Sequence, residues 1–145
     1  MSGLEPQLQK NGMVVELVAE GGIPPVRPPL ATTQATRTGL GGVIGQKREY
    51  FSWRFAVDFA GGALDKLGPK DQVEAVITAS RGRVEITSAR PLHAINGYRA
   101  MFDLVPDAST EPIDLRMYLR SGKQTLTETW IYQYTPPPVA ERKLY

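Results

Sequence analysis

Residues 113–120, Ile113-Asp114-Leu115-Arg116-Met117-Tyr118-Leu119-Arg120, carry an apolar side chain at each odd position and a polar or charged one, Tyr118 included, between them. A period of two marks a strand with one buried and one wet face, because successive side chains leave an extended backbone on opposite sides. Wound into a helix, the same residues would scatter around its whole circumference. The stretch therefore predicts a half-buried strand. Ser121-Gly122-Lys123 turns the chain back into 126–134, where Pro136-Pro137-Pro138 ends any ladder because proline has no N–H to donate.

The same period recurs upstream. In 53–59, Trp53, Phe55, Val57 and Phe59 alternate with Arg54, Ala56 and Asp58, and Gly61-Gly62 closes the run. Between Ala63 and Leu67 there is room for one helical turn at most. Residues 72–80 are rich in β-branched side chains, Arg81-Gly82 offers a turn, and 84–87 forms the next short run. Asn96-Gly97, a hairpin dipeptide because both residues accept positive φ, precedes Tyr98, Ala100, Phe102 and Leu104 on one side of 98–104. Residues 106–112 read as a polar loop. About seven short strands with closely spaced turn signals and no long helix predict an all-β, antiparallel two-sheet sandwich. A closed barrel is the alternative that the pattern leaves open.

The N-terminal part is different. Residues 1–30 read as a flexible lead and linker: 1–12 are polar and aperiodic, 13–18 could form one strand, and 20–30 hold Gly21, Gly22, Pro24, Pro25, Pro28 and Pro29. Residues 31–138 are the sandwich, opening on a Thr-rich strand at 31–38 and a glycine-bearing loop at Gly39, Gly41, Gly42 and Gly45. Residues 139–145 read as a mobile tail.

With 145 residues the chain is one ordinary domain that can bury a core without staples. The absence of cysteine removes disulfides, thiolate metal sites and cysteine nucleophiles. A net charge of +2 without a basic run argues against nucleic acid. No apolar stretch approaches the ~20 residues needed to span a bilayer, and the first twelve residues do not read as a signal peptide.

Candidate chemistry is sparse. His93 is the only histidine, sits after Pro91 without a flanking carboxylate, and reads as a solvated loop residue. Asp58, Asp103 and Asp114 alternate with core positions and are expected to be solvated, and Glu74 lies on a strand as well. Glu128 shares the parity of Leu126 and Trp130, so it should face inward and need a partner or a bulge; an ion pair is the expected outcome. Gly39-Leu40-Gly41-Gly42 resembles a phosphate loop only loosely, lacking the following Lys-Ser/Thr. Trp130, Tyr132 and Tyr134 recur every second residue. Such a row can stack on the apolar CH faces of sugar rings, but closing a core is the favoured reading.

Several segments, in order, resemble a known family: 55–62 with Leu64 and Leu67, 73–82, 97–104, 113–120 and above all Leu126-Thr127-Glu128-Thr129-Trp130-Ile131-Tyr132-Gln133-Tyr134-Thr135-Pro136. Together with Pro28-Pro29-Leu30 and 35–39 they are similar to the C-terminal domain and linker of the periplasmic glucan biosynthesis proteins G and D. The resemblance covers roughly 28–138. It implies an immunoglobulin-like sandwich, a periplasmic location, and a larger N-terminal glucan-processing domain, absent here, that carries the acids tied to activity on β-1,2-linked glucan. No catalytic residue and no cofactor is implied for this chain. The expectation is a non-catalytic accessory module whose partners are that larger domain, a membrane glucosyltransferase, or β-glucan itself. Its contact residues would be Trp130, Tyr132, Tyr134, Arg116 and Tyr118. The alternative is a carbohydrate-binding module that stacks glucan on its aromatics.

Overall fold

The computed structural model describes residues 29–144, so the strand expected at 13–18 lies outside the described residues. Two antiparallel four-stranded sheets face each other. In the first, β1 (Thr32–Leu40), β2 (Trp53–Ala60), β5 (Gly97–Val105) and β4 (Arg83–Leu92) lie side by side in that order. In the second, β6 (Ile113–Ser121) is central, flanked by β3 (Glu74–Ala79) on one side and by β7 (Gln124–Thr125) and β8 (Trp130–Tyr134) on the other. The sheet is open, not closed into a barrel. The turn expected after Gly62 is a 3-10 turn at Gly62–Lys66, and a second one, His93–Ile95, connects β4 to β5.

The core forms where the alternations of the two sheets meet. Phe55, Val57, Phe59, Ala100, Phe102 and Leu104 from one sheet pack against Ile113, Leu115, Met117, Leu119, Leu126 and Trp130 from the other. Asn96 takes the left-handed conformation expected of the hairpin, at φ 53°, but Gly97 does not. Glycine is needed there for proximity: a Cβ on Gly97 would collide with the Phe59 carbonyl oxygen. A bulge between Glu85 and Ser88 interrupts the β4–β5 ladder, and Ile86 within it has a positive φ of 54°, a costly conformation for a β-branched side chain.

Of the strand expected over 126–134 only Trp130–Tyr134 forms, with the two-residue β7 standing before it. After β7 the chain leaves β6 and crosses toward the other sheet: the Ala31 N–H donates to the Leu126 carbonyl at 2.9 Å and the Glu128 N–H to the Ala31 carbonyl at 2.9 Å. The ladder position this vacates on β6 is filled by a side chain, since the Leu119 N–H donates to the buried Thr127 Oγ1 at 3.0 Å. Residues 139–144, expected as a mobile tail, carry a 3-10 turn at Val139–Glu141, with Arg142 donating to the carbonyls of Pro137 and Ser109.

Candidate functional site

The aromatic row of β8 points inward. Trp130 is 5% exposed, meets Phe55 and Phe102 edge-on, and donates its indole N–H to Thr36 Oγ1 at 3.0 Å, tying β8 to β1 across the two sheets. Tyr132 stacks on Trp130 with ring centroids 5.4 Å apart, and both Tyr132 and Tyr134 meet the edge of Phe55. Trp130 is thus a core residue, not a platform for a ligand. Tyr132 and Tyr134 remain half-buried, and burial pushes the Tyr134 phenol up to about 12, so its O–H stays a donor at any physiological pH.

Toward the Leu40 end of β1 the space between the sheets opens into a groove of about 570 Å³. Leu40, Phe51, Trp53, Tyr132, Tyr134 and Pro137 form its apolar walls; Thr38, Thr135, Glu141 and Lys143 supply polar groups. Trp53 lies between two nearly parallel rings, Phe51 at 6.1 Å and Tyr134 at 6.3 Å.

Asp58 and Asp103 point away from the core as the alternation requires, yet they are not solvated. Asp58 is 5% exposed and Asp103 fully buried. The cover comes from arginines on neighbouring strands. Arg99 grips Asp58 through Nε at 2.7 Å and Nη2 at 3.0 Å, and Arg37 adds Nη1 at 3.1 Å. The bonds from Arg99, reinforced by Arg37, hold the Asp58 carboxyl below the usual carboxylate range against the opposing effect of burial. Arg54 grips Asp103 through Nε at 2.6 Å and Nη2 at 3.1 Å, while the Gly42 N–H donates to the same carboxylate at 2.8 Å. The anion held by the glycine cluster is therefore the protein's own. A Cβ on Gly41 would lie 2.7 Å from Asp103 Oδ2, which explains a glycine at that point of the loop.

A signal for these pairs was present in the sequence. Arg54 and Asp58 are four apart on β2, as are Arg99 and Asp103 on β5. Antiparallel pairing sets Arg54 opposite Asp103 and Asp58 opposite Arg99.

Glu128, expected to form an ion pair, instead accepts the Thr33 N–H at 2.8 Å, half-buried at the crossing between the sheets. The reason is that 126–129 form no strand: without a continuous extended run, the parity that aimed Glu128 at the core does not hold. Glu74 and Asp114 are exposed; Glu74 pairs with Arg120 at 2.8 Å and Asp114 accepts from Gln133 at 3.1 Å. His93 is exposed in its 3-10 turn.

Arg116 and Tyr118 lie on the outer face of the second sheet, separated from the aromatic row by the sheet itself. Arg116 is exposed, set between Thr78 and Ile131; Tyr118 is half-buried opposite Val76. Ile131 is 52% exposed. The five contact residues expected from sequence therefore fall into two places: Tyr132 and Tyr134 at the groove with Trp130 beneath them, and Arg116 with Tyr118 on the far side. Trp53 and Phe51, the groove's other aromatics, had no flag in the sequence because Trp53 reads as an ordinary core position.

Among the described residues no helix is long and apolar enough to cross a membrane. A family model described as periplasmic glucan biosynthesis protein, MdoG, matches residues 15–134. The chain is 71% identical over 144 residues to glucans biosynthesis protein D of Stenotrophomonas maltophilia (strain K279a), covering 97% of this chain and 27% of that protein. It is 63% identical over 128 residues to glucans biosynthesis protein D of Xanthomonas campestris pv. campestris (strain B100), covering 86% and 24%. It is 64% identical over 126 residues to a probable glucans biosynthesis protein D of Shewanella oneidensis, covering 86% and 23%. The chain thus spans about a quarter of the length of these relatives. With most of its length matched by that model and these identities behind it, the chain belongs to the MdoG family of periplasmic glucan biosynthesis proteins.

Proposed function

We propose that this chain is a non-catalytic accessory sandwich of a periplasmic glucan biosynthesis protein, which packs on the rest of its parent polypeptide and offers a contact face to partners. The observation that carries this reading is the fate of the acids. Asp58 and Asp103 are each locked by an arginine fork, and Glu128 is spent on a backbone N–H. Glycoside chemistry needs two carboxyl groups facing a shared cleft, one of them free to protonate a leaving group. Carboxylates held this way are structural.

Support for an immunoglobulin-like sandwich comes from strand order. The sequence β1-β2-β5-β4 over β3-β6-β8 corresponds to the A-B-E-D and C-F-G sheets of that architecture. The contact face we assign is the outer side of β3, β6 and β8. There Val76, Tyr118 and Ile131 expose apolar surface beside Arg116, the mixture that protein interfaces favour. Its partner is the glucan-processing remainder of the parent, with a membrane glucosyltransferase as a further candidate, and its place is the periplasm, as the family's description suggests.

The test pairs this chain with the remaining part of the Stenotrophomonas relative in sedimentation or calorimetric titration. We expect association that Arg116→Glu and Tyr118→Asp each weaken about tenfold or more, as for residues central to an interface. The isolated chain should not turn over β-1,2-glucan. Turnover abolished by Glu128→Gln, or association indifferent to both face variants, overturns the proposal.

A further inference from the structure

The outer face of the first sheet carries more positive charge than its own ion pairs consume. Its four strands hold five arginines, no lysine and three carboxylates. Three pairs account for the carboxylates: Arg54 with Asp103, Arg83 with Glu85, and Arg99 with Asp58. Arg37 and Arg90 are left over, a surplus of two charges. Arg37 shares Asp58 with Arg99 through one Nη1 and keeps 66% of its side chain exposed. Arg90 is exposed as well.

Strand register places these groups. One row across the sheet reads Ala35, Asp58, Arg99, Arg90. The next, toward the Leu40 end of β1, reads Arg37, Ala56, Met101, Ser88, and a third reads Gly39, Arg54, Asp103, Glu85. The loop after β1 covers the third row, where Gly42 bonds to Arg54 and Asp103. In the first two rows the arginines stand among the small side chains of Ala35, Ala56 and Ser88.

Arg90 lies directly opposite Arg99. Like charges facing each other across a ladder destabilise a sheet. Arg99 spends Nε and Nη2 on Asp58, which leaves Nη1, and the sheet has no carboxylate left for Arg90. Guanidinium forks hold carboxylates by two bonds at once, which ammonium groups do not. The repulsion that the fold leaves standing is relieved by an anion brought from outside.

Spacing selects the kind of anion. Arg37 and Arg90 are three strands and one row apart, about 16 Å between backbones at ordinary strand spacings. One phosphate or sulfate cannot reach both. An extended peptide crossing the strands, with carboxylates four residues apart, spans about 13 Å, and its side chains supply the rest. We infer that this face docks an acidic protein segment, with one carboxylate between Arg90 and Arg99 and a second on Arg37. The surface lies on the opposite sheet from the β3, β6 and β8 face and does not depend on it.

The full chain should be titrated at low ionic strength with a threonine-rich peptide carrying two glutamates four residues apart, following arginine Nε–H signals by NMR. An isomer with adjacent glutamates, and inorganic phosphate, provide the comparison. We expect Arg37, Arg90 and Arg99 to shift at millimolar peptide, ahead of Arg116 and with Arg54 unmoved, and both comparison ligands to bind several-fold more weakly. Arg90→Glu should weaken binding about tenfold or more. The same variant sets opposite charges face to face, so it should raise the melting temperature by about 1–4 °C. A merely structural arginine would show the reverse. Equal binding of the isomer, tighter binding of phosphate, Arg116 shifting first, or a lower melting temperature for Arg90→Glu each overturn the inference. None of these results touches the docking face, which is scored by association with the parent protein and by variants at Arg116 and Tyr118.

Discussion

On β2 and β5, the residues standing between core positions include Arg54, Asp58, Arg99 and Asp103; on β6 they are Asp114, Arg116, Tyr118 and Arg120. Both sets point away from the same apolar interior, and both mix charges. On the first sheet the loop after β1 folds down over the charges, so that the Gly42 N–H and carbonyl meet Asp103 and Arg54, and Asp103 loses all contact with water. On the second sheet nothing among the described residues covers β6, and its ion pair, Arg120 with Glu74, has side chains 42% and 58% exposed. What separates a structural face from an available one is the cover laid over it, not the composition of the strand.

Breaking the covered face should cost most. Asp103→Ala leaves the Arg54 guanidinium unpaired beneath the loop and is expected to lower stability by about 3–5 kcal/mol, read as a fall in the urea midpoint. Asp58→Ala removes bonds from Arg99 and Arg37, both partly in water, and should cost about 2 kcal/mol. Asp58 also carries a pH signature. Its folded value is lowered, so its contribution is complete above the unfolded value of about 4 and is lost as pH falls through the folded one. Asp58→Asn should therefore flatten the acid limb of the stability curve below about pH 4 relative to the unmutated chain. A smaller effect of opposite sign is expected at the bulge of β4. There Ile86→Asn relieves a left-handed conformation and should gain up to about 1 kcal/mol, measured as a rise in melting temperature. Glu74→Ala and Arg120→Ala, on the open face, should change stability by less than about 1 kcal/mol. If they cost as much as Asp58→Ala, the distinction between the two faces fails.

The interior was legible because Phe55, Val57, Phe102, Leu115 and Met117 announce themselves by period alone. The same period assigned Asp58 and Asp103 correctly to the outer side, then misjudged them as solvated. Alternation says which way a side chain points and nothing about what lies on top, which in this case arrives from β1 and from a loop starting at Gly41. Glu128 failed for a related reason: parity is meaningful only while the backbone stays extended, and the crossing around Thr127 breaks it. The groove was half visible. Tyr132 and Tyr134 stood out as part of an aromatic row, whereas Trp53 and Phe51 join them only once the sheets are folded over each other.

The reciprocal pairing of Arg54 with Asp103 and Asp58 with Arg99 has a consequence for how the two strands find each other. Hydrophobic alternation repeats every two residues, so a strand pair misaligned by an even number of residues still buries its apolar side and goes undetected by the core. The charges are not so tolerant. Sliding β2 along β5 by two residues places Met101 opposite Asp58 in one direction and opposite Arg54 in the other, and sliding by four sets Arg54 against Arg99 or Asp58 against Asp103. Four ordinary surface-type residues thus supply the proofreading that grease cannot.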